Sequence, residues 1–342
     1  MRRSVVTVLG TLFGLFCLGI FLYKADLPEV WGILASARLH MLLLLLFLAQ
    51  MMNVFRAARW VVLLKPMAEL SLWRSFIFTT IHFGSNVLLP ARAGEFIKPL
   101  LAKRETKIGY SGIFATVVLE RIFDLICLLS VLTIVLSTIG PMGSIADQKW
   151  IGRLQYAGLV MAAITASATL VIIGLALYRE PTMRFINFFV KPLPEAISKR
   201  ILSLVETFVS GLAAMRSFSS IAKAFFWSFM LWTTNIFFFY FSAKTLGFEL
   251  SIFGSALVQV AIAFAVALPQ GPGFIGVYQV AAEISLRIIG VSVSPAKAYA
   301  IITWVLSAVP TALLAIVFVS HEGATIASLS KQGQELAIEE GA

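Results

Sequence analysis

Six apolar runs, at about 5 to 23, 40 to 63, 111 to 138, 154 to 178, 220 to 242 and 296 to 319, each come near the roughly 20 residues a helix needs to cross the hydrocarbon core of a bilayer. In that solvent every backbone N–H and C=O must be satisfied inside its own segment, so the runs predict helices rather than open strands or loops. Composition agrees: of 342 residues, 59% are hydrophobic and 13% charged, with a mean hydropathy of +0.93. The chain reads as an all-α polytopic membrane protein. Met1-Arg2-Arg3 before the first run imitates a secretory signal, but the run is too long and "YKADLPEV" offers no small-x-small cleavage site, so the run is read as a retained span. On it, Gly10 and Gly14 have the four-residue spacing that lets helices approach closely, or are glycines simply tolerated in a lipid-facing helix.

Two further apolar runs are broken in the middle: 72 to 102 at "LLPARAGE", and 252 to 290 at "ALPQGPGFIG". Proline and glycine between helix-length apolar arms predict re-entrant helical hairpins that return to the side they entered. The formal charge of +10 then sorts by side. With both hairpins returning, most Lys and Arg fall in cytoplasmic segments, including the basic stretch from Arg179 to Lys223, and both termini are cytoplasmic. The positive charge is thus topological and does not point to nucleic acid. Residues 1–150 read span, span, hairpin, span. Residues 151–319 read the same order upside down, and 320–342 form a short cytoplasmic tail. Inverted repeats of this kind, with broken helices meeting near the midplane, recur in secondary transporters. Between the second repeat's first two spans, apolar residues from Ile197 to Met215 recur at helical spacing beside Lys199 and Arg200. They predict an amphipathic helix at about 197–215, lying on cytoplasmic headgroups or on the protein's own loops.

Charged side chains inside the hydrocarbon cost at least about 2.5 to 3.5 kcal/mol each, so those that remain face a cavity or one another. Three groups qualify. At the first break, Asn86 precedes the turn and Pro90 suits the first turn of the returning half-helix. The free N–H groups at that helix start, with Arg92 and Lys98, make a site for an anion such as a phosphate. Glu95 either pairs with Arg92 at the i, i+3 spacing or is protonated when the anion is bound, which would couple binding to a proton. The alternative is an interfacial ion-pair cluster that fixes the hairpin around Gly94.

On the next span, "VLERIFDLI" puts Glu120 and Asp124 on one helix face, with Arg121 three residues before Asp124. They form a structural clamp or a proton relay, and their expected partners are Arg92 and Lys98. In "NVFRAARW", Arg56 and Arg59 either snorkel to the interface beside Trp60 as a belt residue or hold a headgroup at a cavity mouth. At the second break, Gly271, Gly273 and Gly276 satisfy a dinucleotide-binding spacing. However, a membrane-length run precedes them and no acid follows at the required distance, so that reading fails. What remains is a tight turn at Pro269, Gln270, Gly271, Pro272, Gly273 and Gly276, with Tyr278 and Gln279 as neutral hydrogen-bonding groups. The histidines His40, His82 and His321 are far apart, and Cys17 and Cys127 lie in separate runs. No metal site, disulfide or cofactor is expected.

The order "RAARW", "GSNVLLPARAGEFIKPLL", "LERIFDL" and "ALPQGPGFIGVYQ" resembles the flippase-like transmembrane family to which the membrane region of lysylphosphatidylglycerol synthase belongs. Asn86, Pro90, Arg92, Gly94, Glu95, Glu120, Arg121 and Asp124 match its motif positions. The resemblance implies movement of lipids between leaflets of a bacterial cytoplasmic (inner) membrane, alone or beside a separate lipid-modifying enzyme. The chain ends at residue 342 without a soluble synthase domain, so lysyl transfer is not expected, and neither is catalysis. Three functions stand open: transport of a lipid with an anionic headgroup (a phospholipid, an aminoacylated phospholipid or a polyprenyl-phosphate type), intramembrane lipid modification using Glu120 or Asp124, and a non-transporting partner of a glycosyltransferase or aminoacyltransferase.

Overall fold

The computed structural model describes residues 2–23, 25–92, 94–106, 108–138, 178–192, 218–267 and 271–339, with scattered positions between 156 and 170 and between 194 and 202. Among them the ordered structure is helical: α1 (Arg2–Leu22), α2 (Leu27–Ala35), α3 (Leu39–Leu64), α4 (Leu72–Leu88), α5 (Gly94–Glu105), α6 (Tyr110–Thr138), α7 (Arg179–Val190), α8 (Phe218–Thr245), α9 (Ile252–Ala267), α10 (Val277–Ile288), α11 (Val293–His321) and α12 (Ile326–Glu339). Three helices are long and apolar enough to cross a membrane among the described residues: α3, α8 and α11. A fourth joins them if α1 and α2, bent by 88°, are counted as one broken span. That bend is built locally, because the Asp26 carboxylate caps α2 by accepting the Glu29 N–H at 3.1 Å and Pro28 suits the helix start. Against six expected crossings, α6 carries three charged residues within its apolar run. The expected span at 154–178 and the amphipathic helix at 197–215 lie, for the most part, outside the described residues.

Both interrupted runs are broken helices. A 3-10 turn at Pro90–Arg92 separates α4 from α5, and another at Pro272–Phe274 separates α9 from α10. Thus Pro90, expected to start the α-helix after the break, opens a 3-10 turn instead, and that α-helix begins at Gly94. The physical reason lies at Arg92, whose φ of +54° is left-handed and cannot continue a right-handed helix from Pro90.

The chain divides into two compact units, and each draws on both halves of the sequence. The first comprises Met1–Val54, Ile77–Lys98 and Leu231–Lys331. Within it α10 lies between α9 and α11, α1 lies against α10 and against the first turn, α2 packs on α11, and the two 3-10 turns touch each other. Small residues permit these contacts. A Cβ on Gly84 would stand 2.3 Å from Ala315 Cβ and 2.8 Å from the Thr311 carbonyl oxygen, so α4 and α11 cross where only glycine fits. Gly14 of α1 faces the Ile275 carbonyl oxygen in the same way, at 3.0 Å from a notional Cβ. The second unit comprises Phe55–Phe76, Pro99–Met230 and Gln332–Ala342. Buried side chains of α3, α6 and α8 form its core, among them Trp60, Phe123 and Ala224.

Candidate functional site

The two breaks share a local build that hydropathy did not reveal. Pro90-Ala91-Arg92-Ala93-Gly94 and Pro272-Gly273-Phe274-Ile275-Gly276 both read Pro-x-x-x-Gly, each beginning as a 3-10 turn with an α-helix starting at or just after the glycine. The third residue of each is a non-glycine with positive φ, Arg92 at +54° and Phe274 at +58°. The glycines are required by close approach. A Cβ on Gly94 would lie 2.1 Å from the His82 carbonyl oxygen, and one on Gly276 would lie 2.0 Å from the Gly14 carbonyl oxygen. Gly276 also has a φ of +85°, which side chains rarely adopt.

Each tip uses a nearby amide side chain to satisfy the first N–H of the helix that follows. At the first, the Gly94 N–H donates to Asn86 Oδ1 at 2.9 Å, and His82 Nδ1–H donates to the Gly94 carbonyl oxygen at 2.9 Å. At the second, the Gly276 N–H donates to Gln279 Oε1 at 2.7 Å. The Gly94 N–H expected to be open to an anion is therefore occupied, and the Asn86 carbonyl serves as its cap. Trp304 Nε1–H donates to the Gly273 carbonyl oxygen at 2.7 Å, fixing the second turn. Tyr278 is buried. A notional Cβ on Gly271 reaches Thr11 Cα at 3.0 Å, while Pro269 and Gln270 lie outside the described residues.

Arg92 carries the charge of the paired turns. Its Nη2–H donates to the Val266 carbonyl oxygen at 2.6 Å, and its Nη1 lies 3.7 Å from Glu95 Oε1. The Arg92 side chain is 34% exposed and that of Glu95 26%. Lys98, one turn further along α5, is fully buried.

The charged residues that the sequence singled out on α3 and α6 gather in the second unit. Arg59 on α3 grips Asp124 on α6 with a two-pronged contact, Nη1 to Oδ1 at 2.6 Å and Nη2 to Oδ2 at 3.3 Å. Nη1 also donates to Ser228 Oγ on α8 at 3.0 Å, and Nη2 stands 3.9 Å from Glu120 Oε1. Arg121 Nη1 lies 3.7 Å from Asp124 Oδ2. The acids of α6 were expected to face Arg92 and Lys98, whereas the bidentate partner of Asp124 is Arg59. The snorkelling reading of Arg59 and Trp60 is likewise corrected: Arg59 is 1% exposed and Trp60 is fully buried, with Trp60 Nε1–H donating to Thr116 Oγ1 at 2.9 Å. The reason is one of register. Position 59 falls on the helix face turned to α6 and α8, where a carboxylate and a hydroxyl offer a planar guanidinium more than the interface does. Arg56, one turn earlier, is half-buried.

Sequence reasoning missed two buried polar contacts in the first unit. Lys297 on α11 is 2% exposed. Its Nζ donates to Glu283 Oε2 on α10 at 2.9 Å and to the Phe21 carbonyl oxygen near the end of α1, with the Phe21 ring 4.5 Å away. Arg287 extends the pair, with Nη1 3.8 Å from Glu283 Oε1. The i, i+4 spacing of Glu283 and Arg287 was the available signal. Asn53 Nδ2 bridges α3 to α11 by donating to Thr311 Oγ1 at 3.3 Å. No pattern in the sequence marked that contact.

A family model described as the lysylphosphatidylglycerol synthase TM region matches residues 7–315, and the chain belongs to that family. A curated relative, the glycosyltransferase AglD of Haloferax volcanii, is 23% identical over 88% of this chain and 51% of its own length. The chain thus spans about half the length of this relative. Family membership and the apolar helices make it a multi-pass membrane protein.

Proposed function

We propose that this member of the lysylphosphatidylglycerol synthase membrane-region family moves a lipid with an anionic headgroup between the leaflets of a bacterial cytoplasmic membrane. The observation that carries the reading is the contact between two broken-helix tips of the same Pro-x-x-x-Gly build, one of them bearing Arg92. Broken helices that meet inside a bundle are how membrane proteins present backbone ends and charged groups to a polar substrate without exposing them to lipid. The shared build supports reading the two hairpins as corresponding parts of an inverted repeat, with six crossings and both termini cytoplasmic. A guanidinium open to approach fits a phosphate-bearing headgroup, while the acyl chains stay in the bilayer. In this reading Arg56 and Lys98 are the further cations of the headgroup path, and Glu95 either couples its passage to a proton or serves as the ion-pair partner of Arg92.

Reconstitution tests the reading. Purified protein in liposomes should speed the exchange of labelled phosphatidylglycerol between leaflets over protein-free liposomes, with Arg92→Ala removing most of the gain. If no anionic lipid moves faster with the protein than without it, the reading fails. A second reading has one observation in its favour: the relative that this chain half-covers is described as a glycosyltransferase. In that case the chain serves as the membrane partner of a lipid-glycosylating or aminoacylating enzyme. An intramembrane lipid-modifying enzyme is less favoured, because Asp124 is held by Arg59. Mass spectrometry of the incubated lipids separates these, since transport leaves their masses unchanged.

A further inference from the structure

We propose that Arg92 is a latch between the two hairpin tips, closed in the empty protein and released by a phosphate-bearing anion; this rests on the anionic-headgroup reading above. The contact joins unlike partners. Arg92 sits in the first 3-10 turn, and the carbonyl it grips at 2.6 Å belongs to Val266, next to the last residue of α9. That carbonyl is among the last four of its helix, which have no intrahelical N–H partner, and it lies at the negative end of the helix dipole. The guanidinium therefore does for α9 what a C-terminal cap does, but from the other hairpin. The turns that carry Arg92 and Gly273 touch each other, so one side chain spans the contact between the tips.

Three features make the latch releasable. The hold on Val266 is a single hydrogen bond from the guanidinium to a neutral carbonyl, whereas a phosphate oxygen pair offers the same guanidinium two parallel bonds to a group of opposite charge. Arg92 is about one-third exposed, so the competing anion can reach it. Its backbone is held left-handed, with a φ of +54°, a conformation disfavoured for an L residue that separation of the tips would let relax. Glu95, 3.7 Å from the guanidinium, opposes any incoming anion and keeps the latch shut in a neutral membrane. When a phosphate takes Arg92, Val266 loses its partner and the two tips are free to part.

The test measures the tips directly. Nitroxide labels on Leu88→Cys and Ile275→Cys, at exposed positions beside the two turns, are placed in full-length protein whose Cys17 and Cys127 are replaced by Ala. The distance distribution between them is then recorded in phosphatidylcholine nanodiscs, in nanodiscs containing phosphatidylglycerol, and in phosphatidylcholine nanodiscs with inorganic phosphate. A single narrow distribution is expected in phosphatidylcholine, with a longer-distance population added by phosphatidylglycerol. Release by inorganic phosphate as well would identify the phosphate group itself as the trigger, and release by the lipid alone would identify a membrane-borne headgroup. Arg92→Gln should show the long population even in phosphatidylcholine. Glu95→Gln, which leaves the latch intact, should lower the phosphatidylglycerol fraction at half-release by about twofold, the effect of removing one partly exposed charge of the same sign as the anion. The latch is overturned if the distribution is the same in all three conditions, if Arg92→Gln keeps the narrow distribution, or if Glu95→Gln leaves the half-release point in place. Tips that part while no lipid crosses in the reconstitution assay would leave the latch standing and remove the transport reading. Lipid that crosses while the tips stay fixed would do the opposite.

Discussion

At the scale of single residues, the arginines of this chain are separated by what faces them. Arg92 and Arg59 both sit in apolar surroundings with carboxylates nearby, and spacing alone treats them alike. Arg59 is 1% exposed and spends both terminal nitrogens on Asp124 and Ser228, so it acts first as a clamp. Arg59→Ala should therefore destabilise the protein by at most about 3–5 kcal/mol, because it removes the two-pronged partner of Asp124, which is 16% exposed and keeps only Arg121 at 3.7 Å. Arg59→Met combined with Asp124→Leu should recover most of that loss, since replacing a buried ion pair with apolar groups of similar size is often neutral. Thermal unfolding of the single and double variants in detergent checks this, and losses that simply add would refute the clamp. The charged residues themselves were legible in the sequence, because a charge within a membrane-length run calls for an explanation. Their partners were not, because a helical position names a face and leaves open which helix lies against that face.

At the scale of elements, proline and glycine at the two breaks were readable as interruptions, and their shared build follows from local chemistry. A left-handed residue before a glycine ends the turn, and an amide side chain, Asn86 or Gln279, caps the helix that follows. The close crossing of α4 and α11 was not readable, because Gly84 stands in an ordinary apolar helix with no turn signal around it. A Cβ there would lie 2.3 Å from Ala315 Cβ, so two backbones approach at that point and van der Waals contact between them replaces the hydrophobic effect as the binding force. Gly84→Val should force α4 and α11 apart and lower the unfolding midpoint. Ala315→Gly, which removes the side chain it strikes, should restore part of the loss. An equal loss in the double variant would show that the crossing does not depend on this contact, leaving the Thr311 carbonyl oxygen at 2.8 Å as the obstacle.

At the scale of the whole molecule, the proposed inverted topology predicts that cysteines introduced at residues 2 and 341 react with a membrane-impermeant thiol reagent from the cytoplasmic side. Cysteines introduced at 38 and 249 should react from the opposite side. Labelling of intact cells and of inverted vesicles measures this, and reaction of residues 2 and 341 from opposite faces would end the six-crossing arrangement. What the sequence by itself determined is the solvent and the class: membrane-length apolar runs admit helices because a bilayer offers backbone groups no other partner, and Pro-Gly breaks within them mark where a helix must stop. Only the tertiary structure decided that Arg92 reaches the end of α9, that Arg59 serves Asp124, and that Lys297 is sealed against Glu283 and Phe21. Those contacts join residues from 14 to 276 positions apart. Hydrophobicity places a helix in the bilayer without selecting its neighbour, and that choice falls to shape, close approach at small residues and the pairing of charges that cannot be left alone in hydrocarbon.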